Sequence, residues 1–223
     1  MIRKLALSAA CLVISNLSLA LSGYQIELIV FSHLNGDSFN SETWPVLTNP
    51  LPTSAKAINL NTTEANKDFT PTTQYKLNTI LYRLSKHPNY KILLHKAWYE
   101  SLEQLNSPTT IKLTGGKNYQ SSVDELMGNV TVSLNRYFDV KFDLTLAFPQ
   151  EQVQQLTDNE KYLQQPYTFI SLQQTRRTKS QELNYIDHPL YGVLFEIIPV
   201  KDFQPSNAET TSTKESPIPT PSS

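Results

Sequence analysis

The order of apolar and polar residues between positions 24 and 200 predicts a series of β-strands. Tyr24–Phe31 is polar at Gln25 and Glu27 and then apolar on both faces, which is typical of a central strand. Two later stretches alternate strictly, and their apolar members are Val130, Val132 and Leu134, then Val140, Phe142, Leu144, Leu146 and Phe148. Such alternation indicates strands with one face in water, as in antiparallel sheets. Further strands are expected near 90–99, 167–177 and 192–200, the first with Tyr90, Ile92, Leu94 and Trp98 on one face.

One helix is predicted ahead of the strand near residue 90. Apolar residues recur there at positions i, i+3, i+4 and i+7, namely Leu77, Ile80, Leu81 and Leu84. Thr72 or Thr73 can cap the start of this helix, and Pro88 ends it. The order β-α-β followed by four strands predicts an α+β domain with a mostly antiparallel sheet and one main helix.

The first twenty residues have the pattern of a secretory signal peptide. Arg3 and Lys4 precede an apolar stretch, and the tripeptide ending at Ala20 places small residues at both recognition positions of a signal peptidase. We expect cleavage after Ala20 and location in the bacterial periplasm, with an uncleaved membrane anchor as the alternative. A lipoprotein signal ending at Cys11 is disfavoured because Ser8 stands where a branched aliphatic residue is wanted.

The remaining chain is expected to form a single domain over residues 21–201. Within it, residues 36–73 carry four prolines among many Thr, Ser and Asn residues, which indicates a long loop. Residues 202–223 are rich in Pro, Ser and Thr, and they have too few large apolar side chains to offset the chain entropy lost on folding. They are predicted to be a disordered tail.

Charge and cysteine content exclude several classes of protein. The chain has 19 Lys and Arg against 20 Asp and Glu, which lacks the basic excess of a duplex nucleic-acid binder. Loss of Arg3 and Lys4 with the signal would leave 17 bases against 20 acids and a net charge of −3. Cys11 is the single cysteine, so the cleaved chain would have no disulfide and no cysteine nucleophile.

Metal and cofactor sites are not expected. The four histidines are His33, His87, His95 and His188. No two of them stand four residues apart on a helix, and no carboxylate cluster joins them, so their spacing does not match a zinc site.

The densest group of charged residues lies between Arg176 and Asp187. One interpretation is a solvated hairpin whose charges pair across strands, each pair contributing about 0.2–1 kcal/mol. The other is a ligand-binding strip in which Arg176, Arg177 and Lys179 hold carboxylates, because the planar fork of arginine binds a carboxylate through two hydrogen bonds. Asp187 and His188 allow two readings as well: acid–base chemistry, or a turn before Pro189 in which the aspartate caps the backbone.

Trp44 is a candidate for stacking against a ligand ring. It lies inside the long 36–73 segment and directly before Pro45, whereas Trp98 falls on a predicted strand and is expected in the core. An exposed aromatic side chain generally has a binding role, so Trp44 is the tryptophan we expect to contact a ligand.

Five stretches together resemble the CsiV family of periplasmic peptidoglycan-binding proteins. They are Tyr24–Phe31, Glu42–Trp44, Tyr90–Trp98, Met127–Tyr137 and the segment from Arg176 to Leu194, with Arg176-Arg177 and Asp187-His188-Pro189 the most distinctive. The sequence departs from the family pattern in three places. Thr178 and Lys179 replace Met and Arg, Asn184 replaces His, and Phe138-Asp139 replaces Leu-His.

The resemblance implies a non-enzymatic protein that binds peptidoglycan and supports cell-wall assembly. It also implies a partner, a lipoprotein activator of a bifunctional penicillin-binding protein. Peptidoglycan offers sugar faces for aromatic rings and stem peptides that end in carboxylates. On this basis Arg176, Arg177 and Lys179 are expected to meet stem-peptide carboxylates while Trp44 lies against a sugar.

Two other functions remain open from the sequence. One is an envelope adaptor that binds another protein and has weak or no affinity for the wall. The other is a wall hydrolase, which would need paired carboxylates or a metal. Its acidic candidates near His188 are Asp187, Glu182 and Glu196.

Overall fold

The computed structural model describes residues 23–33, 35–54, 56–60, 69–102, 108–119 and 123–201. The predicted signal peptide and the predicted disordered tail lie outside these residues. The strands are β1 Gly23–Ser32, β2 Ile58–Asn59, β3 Phe69–Thr72, β4 Lys91–Ser101, β5 Thr109–Asn118, β6 Asp124–Leu134, β7 Phe138–Pro149, β8 Tyr167–Thr178, β9 Asn184–His188 and β10 Tyr191–Val200. The helices are α1 Gly36–Asn40, α2 Asn78–Lys86 and α3 Gln150–Gln154, with a 3-10 helix at Glu160–Tyr162.

The strands form two five-stranded sheets that enclose one core. The first sheet has the order β3-β4-β1-β10-β9 and the second β2-β5-β6-β7-β8, and all neighbours are antiparallel except β2 and β5. One cluster of buried side chains contains members of both sheets, and the rings of Phe142 and Phe195 meet across it at 5.3 Å. β1 is the middle strand of its sheet, as its apolar faces predicted.

The fold is mostly β, which corrects the α+β prediction in part. The antiparallel pairing and the single helix longer than two turns are confirmed, but the strands form two sheets rather than one. The physical reason is coverage of the apolar faces. A nine-residue α2 cannot cover every strand with one apolar face, so the strands bury those faces against a second sheet.

Residues 36–73 are only in part a loop. They contribute α1, β2 and β3, and their side chains Phe39 and Phe69 are fully buried. Backbone groups in this segment also bond the second sheet, because the Leu51 amide donates to Thr145 Oγ1 at 3.2 Å. The buried Phe39 and Phe69 could not be predicted from this Pro-, Thr- and Asn-rich segment, because a single buried phenylalanine gives no periodic signal.

A β-bulge in β4 divides the side chains that the sequence placed on one face. The pairing of β4 with β1 skips Leu93, so that Val30 faces Leu94 while Phe31 faces Ile92. Leu94 and Trp98 therefore point into the core, whereas Tyr90 and Ile92 pack on the other side of the sheet. The expectation of one common face was wrong because an extra residue reverses the alternation of side chains.

Helix α2 covers the outer face of the first sheet, and a buried glutamate on that sheet caps it. Its leucines pack with Ile29 and Phe31, which confirms the predicted apolar face. Glu27 is fully buried, and its carboxylate accepts hydrogen bonds from the amides of Lys76 at 2.6 Å and Leu77 at 2.9 Å. The predicted threonine cap was wrong: the threonine oxygen at position 72 accepts from the Gln74 amide, ahead of the helix.

Candidate functional site

The charged strip identified from the sequence lies where the edges of the two sheets meet. Strand β8 borders the second sheet and β9 borders the first, and residues 179–183 join them. Residues 173–177 of β8 are all exposed. We call the surface formed by residues 173–187 the arginine edge.

The two arginines of this edge point in opposite directions, because consecutive strand residues face opposite sides of a sheet. Arg177 forms two hydrogen bonds with the Asp139 carboxylate, at 2.9 and 3.1 Å, and this contact raises the pKa of Arg177 above its usual value. Arg176 turns towards β9, where its Nε lies 3.5 Å from Asn184 Oδ1. Asp139, one of the departures from the family pattern, therefore forms an ion pair with one of the two arginines.

A second carboxylate organises the turn between β8 and β9. Glu182 accepts hydrogen bonds from the Lys179 amide at 3.1 Å and from Thr178 Oγ1 at 3.2 Å, and the first of these contributes most to lowering the pKa of Glu182. Asn184 is buried and donates to Thr178 Oγ1 at 2.7 Å, so this departure from the family pattern links the two strands. Among the described residues, the side chains of Arg176 and Lys179 form no ion pair and are available to an anionic ligand.

The arginine edge also carries an exposed aromatic ring, on β9. Tyr185 is 46% exposed, and its hydroxyl donates to Asp187 Oδ1 at 2.7 Å. Its ring stacks on Phe31 with an interplanar angle of 10°, and Gly192 leaves room for both rings because a Cβ there would come within 3 Å of each. Tyr185 was not predicted as a ligand contact from the sequence. Its position two residues before Asp187 nevertheless places both side chains on one face of a strand.

Trp44 is not the exposed aromatic that the sequence suggested. Its side chain is buried, its indole Nε1 donates to the Phe39 carbonyl at 2.7 Å, and its ring stacks on His188 at 5.2 Å. The Tyr162 hydroxyl accepts from the Trp44 amide at 2.8 Å. The expectation failed because the 36–73 segment packs into the core, so a sugar cannot reach this indole in the structure.

Asp187 and His188 do not form an acid–base pair. As neighbours on β9 they point to opposite faces: the aspartate outward to Tyr185 and the histidine inward to Trp44. His188 Nδ1 accepts from the Leu190 amide at 3.2 Å, so the histidine, and not the aspartate, caps the following turn. Burial, assisted by His33, lowers the pKa of His188 to about 4.

The buried His188 makes stability depend on pH. An unfolded histidine binds its proton near pH 6.5, whereas the folded protein resists protonation until about pH 4, so the unfolded state holds more protons between these values. The free energy of unfolding should therefore fall by about 2 kcal/mol between pH 7 and pH 5. Urea unfolding at the two pH values measures this change. His188→Asn keeps an acceptor for the Leu190 amide, and it should remove most of the difference in the free energy of unfolding between the two pH values. If the difference were unchanged in this variant, other titrating groups would be its cause.

The other acidic residues near the histidine are also engaged elsewhere. Glu196 lies opposite Glu27 in the pairing of β1 with β10, and burial, followed by the charge of Glu27, raises the pKa of Glu196. Glu182 caps the β8–β9 turn as described above. Within the described part of the chain, no group of three or more His, Cys, Asp or Glu side chains is placed to hold a metal ion.

Two clefts lie side by side at one end of the sandwich, and neither was predicted from the sequence. Their volumes are about 700 and 570 Å³, and both are lined by Lys91 and Gln152. The first is also lined by Lys117, Tyr119, Pro149, Gln150, Glu151, Gln155, Pro166 and Tyr167, and the second by Ser32, Asn35, Asp37, Pro88, Asn89, Tyr90 and Glu125. We call the two clefts together the end groove.

An ion pair stands where the two clefts meet. Lys91 Nζ lies 2.5 Å from both oxygens of Glu125, whose side chain is only 4% exposed. The same carboxylate accepts from the Lys117 amide at 2.9 Å. In the first cleft the rings of Tyr119 and Tyr167 lie 5.9 Å apart, and burial is the main cause that raises the pKa of Tyr119 to about 12. The Tyr119 hydroxyl therefore keeps its proton at neutral pH.

Comparison with known proteins identifies a family. The model of the CsiV family, described as a peptidoglycan-binding protein, matches residues 3–200. No curated protein and no solved structure matches the chain. The description supports peptidoglycan as a ligand and points to the cell envelope, and it names binding rather than a reaction. Among the described residues, no helix has the length and apolar character needed to cross a bilayer.

Proposed function

We propose, from the premise that the chain belongs to the CsiV family of peptidoglycan-binding proteins, that it binds the wall in the periplasm without catalysing a reaction on it. In this role it supports cell-wall assembly together with a lipoprotein activator of a bifunctional penicillin-binding protein. The family match over residues 3–200 supports the choice of ligand. The partner and the role in assembly rest on the family resemblance.

The observation that carries this proposal is the pair of available cations on the arginine edge. Arg176 and Lys179 are exposed and stand outside the ion pairs of the described residues. Stem peptides of peptidoglycan end in carboxylates, which an arginine fork binds through charge-assisted hydrogen bonds. Arg177 points to the other face of β8, where it can bind a second ligand carboxylate in exchange for Asp139, because its side chain is 69% exposed.

Tyr185 replaces Trp44 as the aromatic contact in this proposal. Its ring is exposed on β9, and Asp187 fixes the direction of its hydroxyl. A ring held in this way offers a flat apolar surface to a sugar, with a polar tip beside it. Trp44 and His188 are not proposed as ligand contacts because both are buried.

The overall acidity of the chain does not oppose binding to an anionic polymer. In physiological salt, charges further away than about 8–10 Å are largely screened. The local field at the arginine edge therefore depends on the nearby cations and on Glu182, more than on the total of 20 acidic residues.

Replacing both arginines tests the proposal. We expect Arg176→Ala with Arg177→Ala to abolish most co-sedimentation of the purified protein with purified sacculi, and we expect wild-type binding to weaken as salt is raised. The matched control is Lys76→Ala with Arg83→Ala. It also removes two exposed cations, but from α2 and the residue two positions before it, outside residues 173–187. Circular dichroism establishes that each variant is folded.

Other outcomes would change the assignment. Equal sedimentation of the folded arginine variant and the control would show that the edge is not the wall site. If the wild-type protein did not sediment at all, an adaptor that binds a protein partner would replace wall binding. Release of soluble fragments from the sacculi would contradict the proposed absence of catalysis.

A further inference from the structure

The two clefts of the end groove adjoin each other. Lys91 and Gln152 line both, so the clefts meet at these two side chains. Each cleft alone has a volume in the range typical of ligand sites, about 300–1,000 Å³. The joined clefts therefore suit an extended ligand better than a compact one.

Besides charged residues, the groove is lined by uncharged hydrogen-bonding groups and by aromatic rings. Side-chain amides come from Gln150, Gln152 and Gln155 in the first cleft and from Asn35 and Asn89 in the second. Tyrosines stand in both: Tyr119 and Tyr167 in the first, and Tyr90 in the second. Amides can donate to and accept from hydroxyl and acetamido groups, and tyrosine rings can lie against the apolar face of a sugar.

The charged groups at the centre of the groove are held in place by the fold. Glu125 is buried and fixes both the Lys91 ammonium and the Lys117 amide. Gly116 adopts a φ of 70°, and a Cβ at this position would come within 2.8 Å of the Glu125 side chain. Because only glycine fits this close approach, the local backbone is adapted to the buried carboxylate. Lys91, still 46% exposed, is left with a fixed ammonium that faces both clefts.

From these features we propose that the end groove binds the glycan strand of the wall, a polymer of N-acetylated amino sugars. The inference rests on the proposed function for the choice of polymer. The groove also leads towards the arginine edge: Tyr90 lines the second cleft and lies 5.0 Å from Phe31, and Phe31 stacks on Tyr185. The protein thus has a groove for the sugar chain and, along the same face, the arginine edge, where stem peptides and the sugar at Tyr185 are bound.

Defined soluble probes separate this proposal from the wall-binding proposal. The probe for the groove is a β-1,4 oligomer of N-acetylglucosamine that carries no peptide, and the probe for the arginine edge is a stem peptide that carries no sugar. Isothermal titration calorimetry on the purified protein measures both affinities. We expect Tyr167→Ala and Lys91→Gln each to weaken oligosaccharide binding by about tenfold. Arg176→Ala with Arg177→Ala should weaken only peptide binding.

The matched control for the tyrosine variant is Tyr82→Ala, which removes a tyrosine that is 64% exposed on α2, outside both clefts. It should bind the oligosaccharide as the wild type does. Nuclear magnetic resonance of the unmodified protein gives a second test, because the oligosaccharide should shift the side-chain amide signals of Gln150, Gln152 and Gln155.

The results can overturn this inference without touching the wall-binding proposal. No oligosaccharide binding by the wild-type protein, or equal affinity in the Tyr167 and Tyr82 variants, would remove the glycan site while sacculus binding through the arginine edge still stood. Signal shifts confined to residues outside the groove would also contradict it. Oligosaccharide binding without sacculus binding would support the groove and count against the proposed function.

Discussion

Replacing Trp44 by alanine is expected to lower the free energy of unfolding by about 4 kcal/mol. The indole is buried among core side chains, stacks on His188 and donates a hydrogen bond to the Phe39 carbonyl. Its removal leaves a cavity and an unpaired carbonyl, and both effects destabilise the folded state. Urea unfolding followed by circular dichroism measures the change.

The conservative variant Trp44→Phe distinguishes a structural role from a ligand contact. It keeps an aromatic ring in the core but loses the indole N–H, so we expect a smaller loss of about 1–2 kcal/mol. Under conditions where this variant is folded, it should bind sacculi as the wild type does. A variant of wild-type stability that failed to bind would show that the indole touches the wall after all.

The second large effect is expected at Glu27. Replacement by glutamine should lower the free energy of unfolding by about 3 kcal/mol, because one buried carboxylate accepts from the amides of Lys76 and Leu77. His95 Nε2 lies 2.7 Å from the same carboxylate. A glutamine side chain has a single acceptor oxygen. Its NH2 group would face one of the two backbone N–H groups, which would then lack an acceptor. The measurement is again urea unfolding at neutral pH.

Glu196→Gln is the matched control, since Glu196 lies opposite Glu27 in the sheet. Its burial and the charge of Glu27 disfavour its ionised form, as the raised pKa of Glu196 shows. The same chemical change at this position should therefore leave stability unchanged or slightly improve it. If both variants lost equal stability, the cost would come from the sheet in general and not from the cap on α2.

The parts of the fold that the sequence predicted are those with a long, regular pattern. Alternation from Val140 to Phe148 predicted β7, and helical spacing from Leu77 to Leu84 predicted α2. Strands β2 and β3 are too short to show a period. The bulge at Leu93 reverses the alternation of side chains within β4. Periodicity also describes one strand at a time, so it could not predict that the apolar faces would pair as two sheets.

The sequence singled out the cations of the arginine edge but not its exposed tyrosine. Arg176, Arg177 and Lys179 stand out because charged residues are sparse in this chain, and the structure places them together at one edge. Trp44 was expected to be exposed, but exposure cannot be deduced from a proline-rich neighbourhood. Tyr185 was overlooked because it lies within the five-residue strand β9, which is too short to show a clear alternation. The end groove collects side chains from eight helices and strands and from the loops between them, so no local stretch of sequence carries its signal.

The position of β1 between β4 and β10 has a consequence for how the chain folds. Gly23 pairs with Val200, so the central strand of the first sheet is completed by the last strand of the described chain. Contacts between such distant residues form slowly because closing a long loop costs entropy. A chain emerging with its N-terminus first must therefore wait for β10, and until then one side of β1, of which every residue but one is buried in the folded protein, is an open edge. That open edge can pair with a strand from another chain. The period before β10 arrives is the time of greatest risk of aggregation, and it is then that a chaperone would protect the protein most.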